Sequence, residues 1–211
     1  MENPVLILGA GPIGQSARDI FEGNGNVVYG FLDDDKKLHN AIIDDLSVFG
    51  STDDDGFLKL IGKKCEAFIA VDEIRLKKGL VNMLQDVRKV QPVNAIHAKA
   101  TLSPRFTLGH GNLIEASVVI GPQVVLGGYT IIQAGAVLGT GVRIGDFVNI
   151  GSGALVNSGV QIEDEAFIGS GAILVAGVKI GKGARIGAGS VVIGDVKAGA
   201  TVFGNPAKDV G

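Results

Sequence analysis

Four groups of residues could do chemistry. Gly9, Gly11 and Gly14 stand in "GAGPIG" with G-x-G-x-x-G spacing. Glycines there permit a tight strand-to-helix turn and let a phosphate approach backbone N–H groups at a helix N-terminus. About twenty residues on, "FLDDD" offers Asp33 and Asp34, whose carboxylates could accept hydrogen bonds from a ribose or a base. Near the C-terminus Lys179, Lys182, Arg185, Lys197 and Lys208 face only Asp195, a local net of +4 that suits a ligand with several phosphates. The fourth group is "EDE", Glu163–Asp164–Glu165, with Glu115 earlier. An exposed carboxylate is a poor general base unless burial raises its pKa, so a solvated turn is the simpler reading of that run.

Two alternatives weigh against the glycine loop as a site for a phosphate-bearing substrate. A nicotinamide-type dinucleotide would use the same loop, but about 92 residues are few for a complete dinucleotide fold. The loop could also serve packing alone. The three histidines, His39, His97 and His110, are scattered. They read as solvent-facing or structural residues and argue against a zinc site, so no metal is expected.

Two different grammars must position these residues. Residues 1–92 hold 11 Lys+Arg and 15 Asp+Glu; residues 93–211 hold 8 and 7. The first stretch alternates apolar runs with helical patterns. Strands are expected at 5–9, 26–32 and 67–71, and helices at 12–25 and 72–89. That βαβ order implies a small Rossmann-like parallel sheet in an α/β domain over 1–92. In the second stretch every sixth residue from Ile96 to Val192 is Ile, Leu or Val, seventeen positions without a slip. The residue four later is usually small or β-branched, and glycine often follows the aliphatic one. Period six excludes a helix face and exceeds what a plain strand needs. It predicts a parallel β-helix over 93–211, three hexads to a triangular coil, with equivalent positions 18 residues apart.

The net charge of −3 makes a nucleic-acid footprint unexpected. One cysteine, Cys65, excludes an intrachain disulfide and a multi-cysteine metal site. No run nears the roughly 18 apolar residues of a membrane span, and the start lacks a leader pattern, so a cytoplasmic protein is expected.

"LGAGPIG" on a strand-to-helix turn, the hexad prism after "NAIH", and the closing "TVFGNPAK" occur in one chain. In that order they resemble the sialic-acid O-acetyltransferase and bacillosamine or perosamine N-acetyltransferase family of bacterial nucleotide-sugar pathways. The resemblance implies a left-handed prism, a homotrimer, and acetyl-CoA in the groove between neighbouring prisms. It implies a nucleotide-linked sugar held by Gly9, Gly11, Pro12, Ile13, Gly14, Asp33, Asp34, Val71 and Arg75. It places coenzyme A near Asn149, Ser158, Gly159, Ser170, Gly171, Lys182, Asn205, Pro206 and Lys208. The family's catalytic histidine precedes an "IGD" turn. Here that turn is Ile144–Gly145–Asp146, which puts Thr140 at the histidine position and Gly141 at its acidic helper. A second family histidine, aimed at the acetyl oxygen, matches Asn149, whose amide still donates. Thr140 is no base near neutral pH. The expectation is therefore an acetyl-CoA-dependent sugar acetyltransferase, with two rivals left open: a family member that binds nucleotide sugar or coenzyme A without turnover, and a trimeric scaffold that binds neither.

Overall fold

The computed structural model describes residues 3–210. They divide into two compact units after Ala98. The sequence pattern changes at residue 92, but two hydrogen bonds keep the next residues with the first unit. Val93 N donates to Ala67 O, and Asn24 Nδ2 donates to Ile96 O.

In the first unit, β1 (Val5–Leu8) runs into α1 (Pro12–Gly23), then β2 (Val28–Leu32). A small hairpin follows, β3 (Ile42–Ile43) and β4 (Leu46–Ser47), then the single turn α2 (Asp55–Leu58). β5 (Glu66–Ile69) leads into α3 (Ile74–Asn82). The sheet is parallel, in the order β2-β1-β5. All four β1 residues are buried, as expected for a short continuous apolar strand at the centre of a parallel sheet. The helix expected over 72–89 is shorter and mixed. Glu73 caps α3 by accepting from Arg75 N and Leu76 N, so helix begins only at Ile74. Past Asn82 the chain widens into a π turn, Met83–Arg88, which ends at Lys89 with φ 59°.

Two buried cations shape this unit. Arg18 on α1 reaches Glu22, Asp45, Asp44 and the Ile43 carbonyl, tying α1 to the hairpin. Burial disfavours its charge, but Asp45 and Glu22 outweigh that and raise its pKa. Lys77 has less help. Burial, only partly offset by Asp72, lowers its pKa from 10.5 to about 8. The unfolded chain therefore keeps the Lys77 proton to higher pH than the folded one, and stability rises with pH through this window. Lys77→Met should stabilise the protein at pH 7 by about 1–3 kcal/mol. It should also flatten the rise in urea-unfolding stability between pH 8 and 9. A variant with the native slope would remove Lys77 as its cause.

The second unit is a parallel β-helix. A two-residue strand ends at each of the seventeen aliphatic positions; the first, Ala95–Ile96, falls in the first unit and the other sixteen, Thr101–Leu102 to Val191–Val192, in the second. Within residues 99–210 these strands form three ladders, with partners 18 residues apart, as in Ile131↔Asn149↔Phe167. The first face carries strands ending at 102, 120, 138, 156, 174 and 192; the second those ending at 108, 126, 144, 162 and 180. The third carries those ending at 114, 132, 150, 168 and 186, then the hairpin Thr201–Gly204/Ala207–Asp209.

From Ile114 upward the aliphatic positions are at most 3% exposed, and Ala136, Val142 and Val148, two residues before theirs, are fully buried. Asn112 and Thr130 occupy the same inward position. They are tolerated because they satisfy each other: Thr130 Oγ1 donates to Asn112 Oδ1 at 2.6 Å, and Asn112 Nδ2 donates to Gly127 O at 3.0 Å. Glycine directly after the aliphatic residue has a packing cause. A Cβ on Gly151 would lie 2.5 Å from Ser170 N of the next coil. Three residues after the aliphatic position the backbone takes positive φ. Gly141 (70°) and Gly159 (72°) sit there, but so do Gln123 (61°), Phe147 (59°) and Glu165 (63°).

Candidate functional site

The glycine loop lies at the carboxyl end of β1, and its three glycines have different causes. Gly9 has φ +115°, and a Cβ there would lie 2.5 Å from Ala70 O and 3.1 Å from Val71 Cγ1. A Cβ on Gly14 would collide with the Gly9 carbonyl oxygen. Both serve close packing. Gly11 meets nothing within 4 Å, so its bare surface leaves room for a ligand. Gly11 is also the N-cap of α1, with no side-chain cap and Pro12 next. Half-buried Ile13 follows.

The two aspartates have separate tasks. Asp33 Oδ2 accepts from Ala10 N at 2.7 Å and Oδ1 accepts from Asp35 N at 2.8 Å. Its carboxylate is used to pin the glycine loop to the loop after β2. His39 Nε2 lies 2.8 Å from the Asp33 carbonyl. Asp34 Oδ1 accepts from both the N–H and the hydroxyl of buried Thr52, each at 2.8 Å. Asp34 and Arg75 line one cleft of about 810 Å³, together with Thr52, Leu80, Met83 and Arg88. Thr52 escaped the sequence reading because nothing in a lone threonine 18 residues away marks it as a carboxylate's partner.

On the prism each candidate has a defined place. Thr140 is exposed at the corner between the first and second faces, and its carbonyl accepts from Gly159 N at 3.0 Å. Ser158 and Gly159 stand one coil above on that corner. Asn149 is half-buried in a strand of the third face. Ser170 and Gly171 occupy the corner between the third and first faces, and Lys182 the corner between the second and third. Asn205 and Pro206 form the tip of the terminal hairpin, where Lys208 pairs with Phe203. Within one chain the prism therefore spreads these residues over three corners, and Thr140 and Asn149 lie one and a half hexads apart.

Lys182 is less free than its sequence context suggests, because its Nζ lies 3.3 Å from Glu165 Oε1. The carboxylates act as struts between coils. Glu163 accepts from Lys182 N, Asp164 from Asp146 N, Asp146 from Gly128 N, Glu115 from Ala134 N, and Asp195 from Lys179 N, all at 2.7–2.9 Å. The "EDE" run is thus a structural turn. Exposed His110 supplies its carbonyl to Tyr129 N. Among the described residues no group of three His, Cys, Asp or Glu could hold a metal ion, and no helix is long and apolar enough to cross a membrane.

One feature missed in the sequence was readable there. The residue before each inward aliphatic points outward, and on the first face these are Thr101 and then Val119, Val137, Leu155, Ile173 and Val191. The matching column of the second face holds Thr107, Val125, Arg143, Gln161 and Lys179. Sorting that position by period 18 separates a mostly aliphatic face from a mostly polar one.

Three family descriptions match the chain: "PglD N-terminal domain" over residues 4–84, "Hexapeptide repeat of succinyl-transferase" over 141–176, and "Bacterial transferase hexapeptide (six repeats)" over 159–194. Among solved structures, a histidine-to-asparagine mutant of perosamine N-acetyltransferase from Caulobacter crescentus, in complex with CoA and GDP-perosamine, is 30% identical with TM-score 0.90. That match covers 99% of this chain and 97% of the other. The acetyltransferase domain of PglB from Neisseria gonorrhoeae, in complex with acetyl coenzyme A, is 26% identical over 100% of both chains, TM-score 0.90. WeeI from Acinetobacter baumannii is 25% identical over 98% and 99%, TM-score 0.82. No curated protein sequence matches.

Proposed function

Because the chain belongs to the hexapeptide-repeat acetyltransferases with a PglD-type N-terminal domain, we propose that it acetylates a nucleotide-linked amino or hydroxy sugar from acetyl-CoA in the cytoplasm. The observation that carries this reading is the joint presence of two features. One is an uncapped glycine-loop helix with the Asp34–Arg75 cleft nearby in the first unit. The other is a prism with a cationic top, Asn149 and the closing "GNPAK". The relative solved with CoA and GDP-perosamine supports the substrate class.

In this reading the N–H groups at Gly11 and the start of α1 receive the sugar nucleotide's phosphates. Asp33 holds that loop in shape, while Asp34 and Arg75 meet ribose and diphosphate. The sugar's amine or hydroxyl attacks the thioester carbonyl carbon and gives up a proton, the C–S bond breaks, and the departing sulfur takes up a proton, so coenzyme A leaves as its thiol. The Asn149 amide donates to the acetyl oxygen as negative charge develops there.

Thr140 stands where the family places its base. General-base catalysis is typically worth about 10²–10⁴ in rate, so this chain is a slow enzyme. The "EDE" carboxylates stand on a different corner of the prism, where they bridge coils or pair with Lys182, so within one chain they do not replace a base at Thr140. That same observation favours the second reading, a module that binds the nucleotide sugar without turnover.

The separation of Thr140, on the corner between the first and second faces, from Asn149, on the third face, supports a site completed between copies. We assign the aliphatic column of the first face to that contact, in a homotrimer. Leu155→Asp with Ile173→Asp should convert a trimeric mass by light scattering to a monomeric one. A native monomer at micromolar concentration, or a trimeric double variant, would defeat this assignment.

Calorimetry with acetyl-CoA and with GDP- and UDP-linked amino sugars, followed by thiol-release assay, tests the function. Binding of both with slow thiol release supports the enzyme. Binding of the nucleotide sugar alone supports the module, and binding of neither overturns both.

A further inference from the structure

The third face carries a column of its own. Ile131, Asn149, Phe167 and Arg185 stack outward on successive coils. Phe167 is 36% exposed. The Arg185 guanidinium carbon lies 4.8 Å from the centre of its ring. Arg185 is itself exposed, and among the described residues no carboxylate pairs with it. Lys182, close by in sequence, is paired with Glu165. A guanidinium stacked on a ring keeps its N–H edge free, and that edge matches two phosphate oxygens at once. Stacking also removes much of the disorder that a long exposed side chain would otherwise lose on binding.

Rungs of a sheet lie about 4.8 Å apart, so the Arg185 backbone stands about 10 Å above Asn149 along the prism. That is too far for the acetyl group, and with the length of the arginine side chain added it reaches the far end of the pantetheine arm, where the diphosphate begins. The arm would run upward, since the remaining cations, Lys179, Lys182, Lys197 and Lys208, all lie in the last coils and the hairpin.

We infer that Arg185, seated over the Phe167 ring, receives the diphosphate of coenzyme A. The inference rests on the acetyltransferase reading above. Phe167 is then a positioning residue and Arg185 the contact.

The test is calorimetry on the intact protein with coenzyme A, 3′-dephospho-coenzyme A and pantetheine, which lacks the diphosphate. Arg185→Met should weaken the first two alike, by about tenfold or more for a lost charge-assisted pair, and leave pantetheine unchanged. Arg185→Lys should recover only part, because an ammonium lacks the fork. Phe167→Leu should weaken both phosphate ligands several-fold with the charge intact, and Phe167→Tyr should restore them. Lys182→Met should cost less than Arg185→Met. Both sites are exposed, and unchanged thermal melts would confirm folding. Unchanged affinity in Arg185→Met overturns the assignment. So does a loss seen with coenzyme A but not with its dephospho form, since that places Arg185 on the 3′-phosphate. If native protein binds none of the three ligands, the acetyltransferase reading fails instead.

Discussion

Gly14→Ala should lose most of the stability of the first unit, whereas Gly11→Ala should lose only ligand. The two substitutions add the same methyl group three residues apart. At Gly14 the methyl meets the Gly9 carbonyl, a backbone atom fixed between β1 and α1. Relief requires α1 to move off the sheet, and overpacking of that kind costs about 1–3 kcal/mol or more. Gly9 gives no slack, because Ala70 O confines it from the other side. At Gly11 the methyl enters open space, and stability should change by less than about 0.5 kcal/mol. It would nevertheless stand where a phosphate must approach the N–H groups of α1. Nucleotide-sugar affinity should fall about tenfold or more, the loss of one charge-assisted hydrogen bond or two. Hydrogen exchange separates the cases. Gly14→Ala should lose protection in β1, β2 and β5 while the hexad strands keep theirs. A Gly14→Ala protein as stable as native, or a Gly11→Ala protein with native affinity, would refute the division of labour.

Acetyl transfer should rise at least about tenfold in Thr140→His/Gly141→Glu, a cautious share of what a positioned base contributes. Thr140→His alone should gain less, because nothing would orient the imidazole. The paired carboxylate would accept from one ring nitrogen and turn the other to the substrate. Gly141 has φ +70°, which taxes any side chain by roughly 1–2 kcal/mol. The position can carry one, since Glu165 and Gln123 hold the equivalent place in other hexads at 63° and 61°. A Cβ at Gly141 meets nothing within 4 Å. The variant should therefore fold with a slightly lower melting temperature. Native turnover at ordinary rates, on the order of 1–10³ per second, would mean that another group takes the proton and that Thr140 is not the reacting position.

The prism was legible in the sequence because its core repeats in register. Each inward residue meets residues one coil away, so a local period encodes a three-dimensional contact. The α/β unit was legible as apolar strands, but its partners were not. The spacing marks Asp33 as a ligand contact, but nothing in it signals that the carboxylate also accepts from Ala10 N and Asp35 N. Lys182 counts among the cations of the last coils, but nothing in the sequence marks Glu165 as its partner. Both are side-chain pairings across loops or coils, where no periodicity constrains the partner. The bland reading of "EDE" fits a turn whose carboxylates bridge coils. Arg185 was counted as charge, but its seat on Phe167 appears only when outward positions are sorted by eighteens.

That register makes the prism an indexing mechanism. Removing or adding six residues leaves the inward pattern of Ile, Leu and Val in phase, so the core is indifferent to the change. Everything downstream nonetheless turns by one face. Asn149 would leave the column of Phe167 and Arg185, and the aliphatic stripe would jump to another side midway up. Eighteen residues, by contrast, restore every outward position and change only the height. Core and surface therefore count in different units. Length variation among chains of this architecture is free in steps of six for folding, but only in steps of eighteen for keeping one column of side chains aligned.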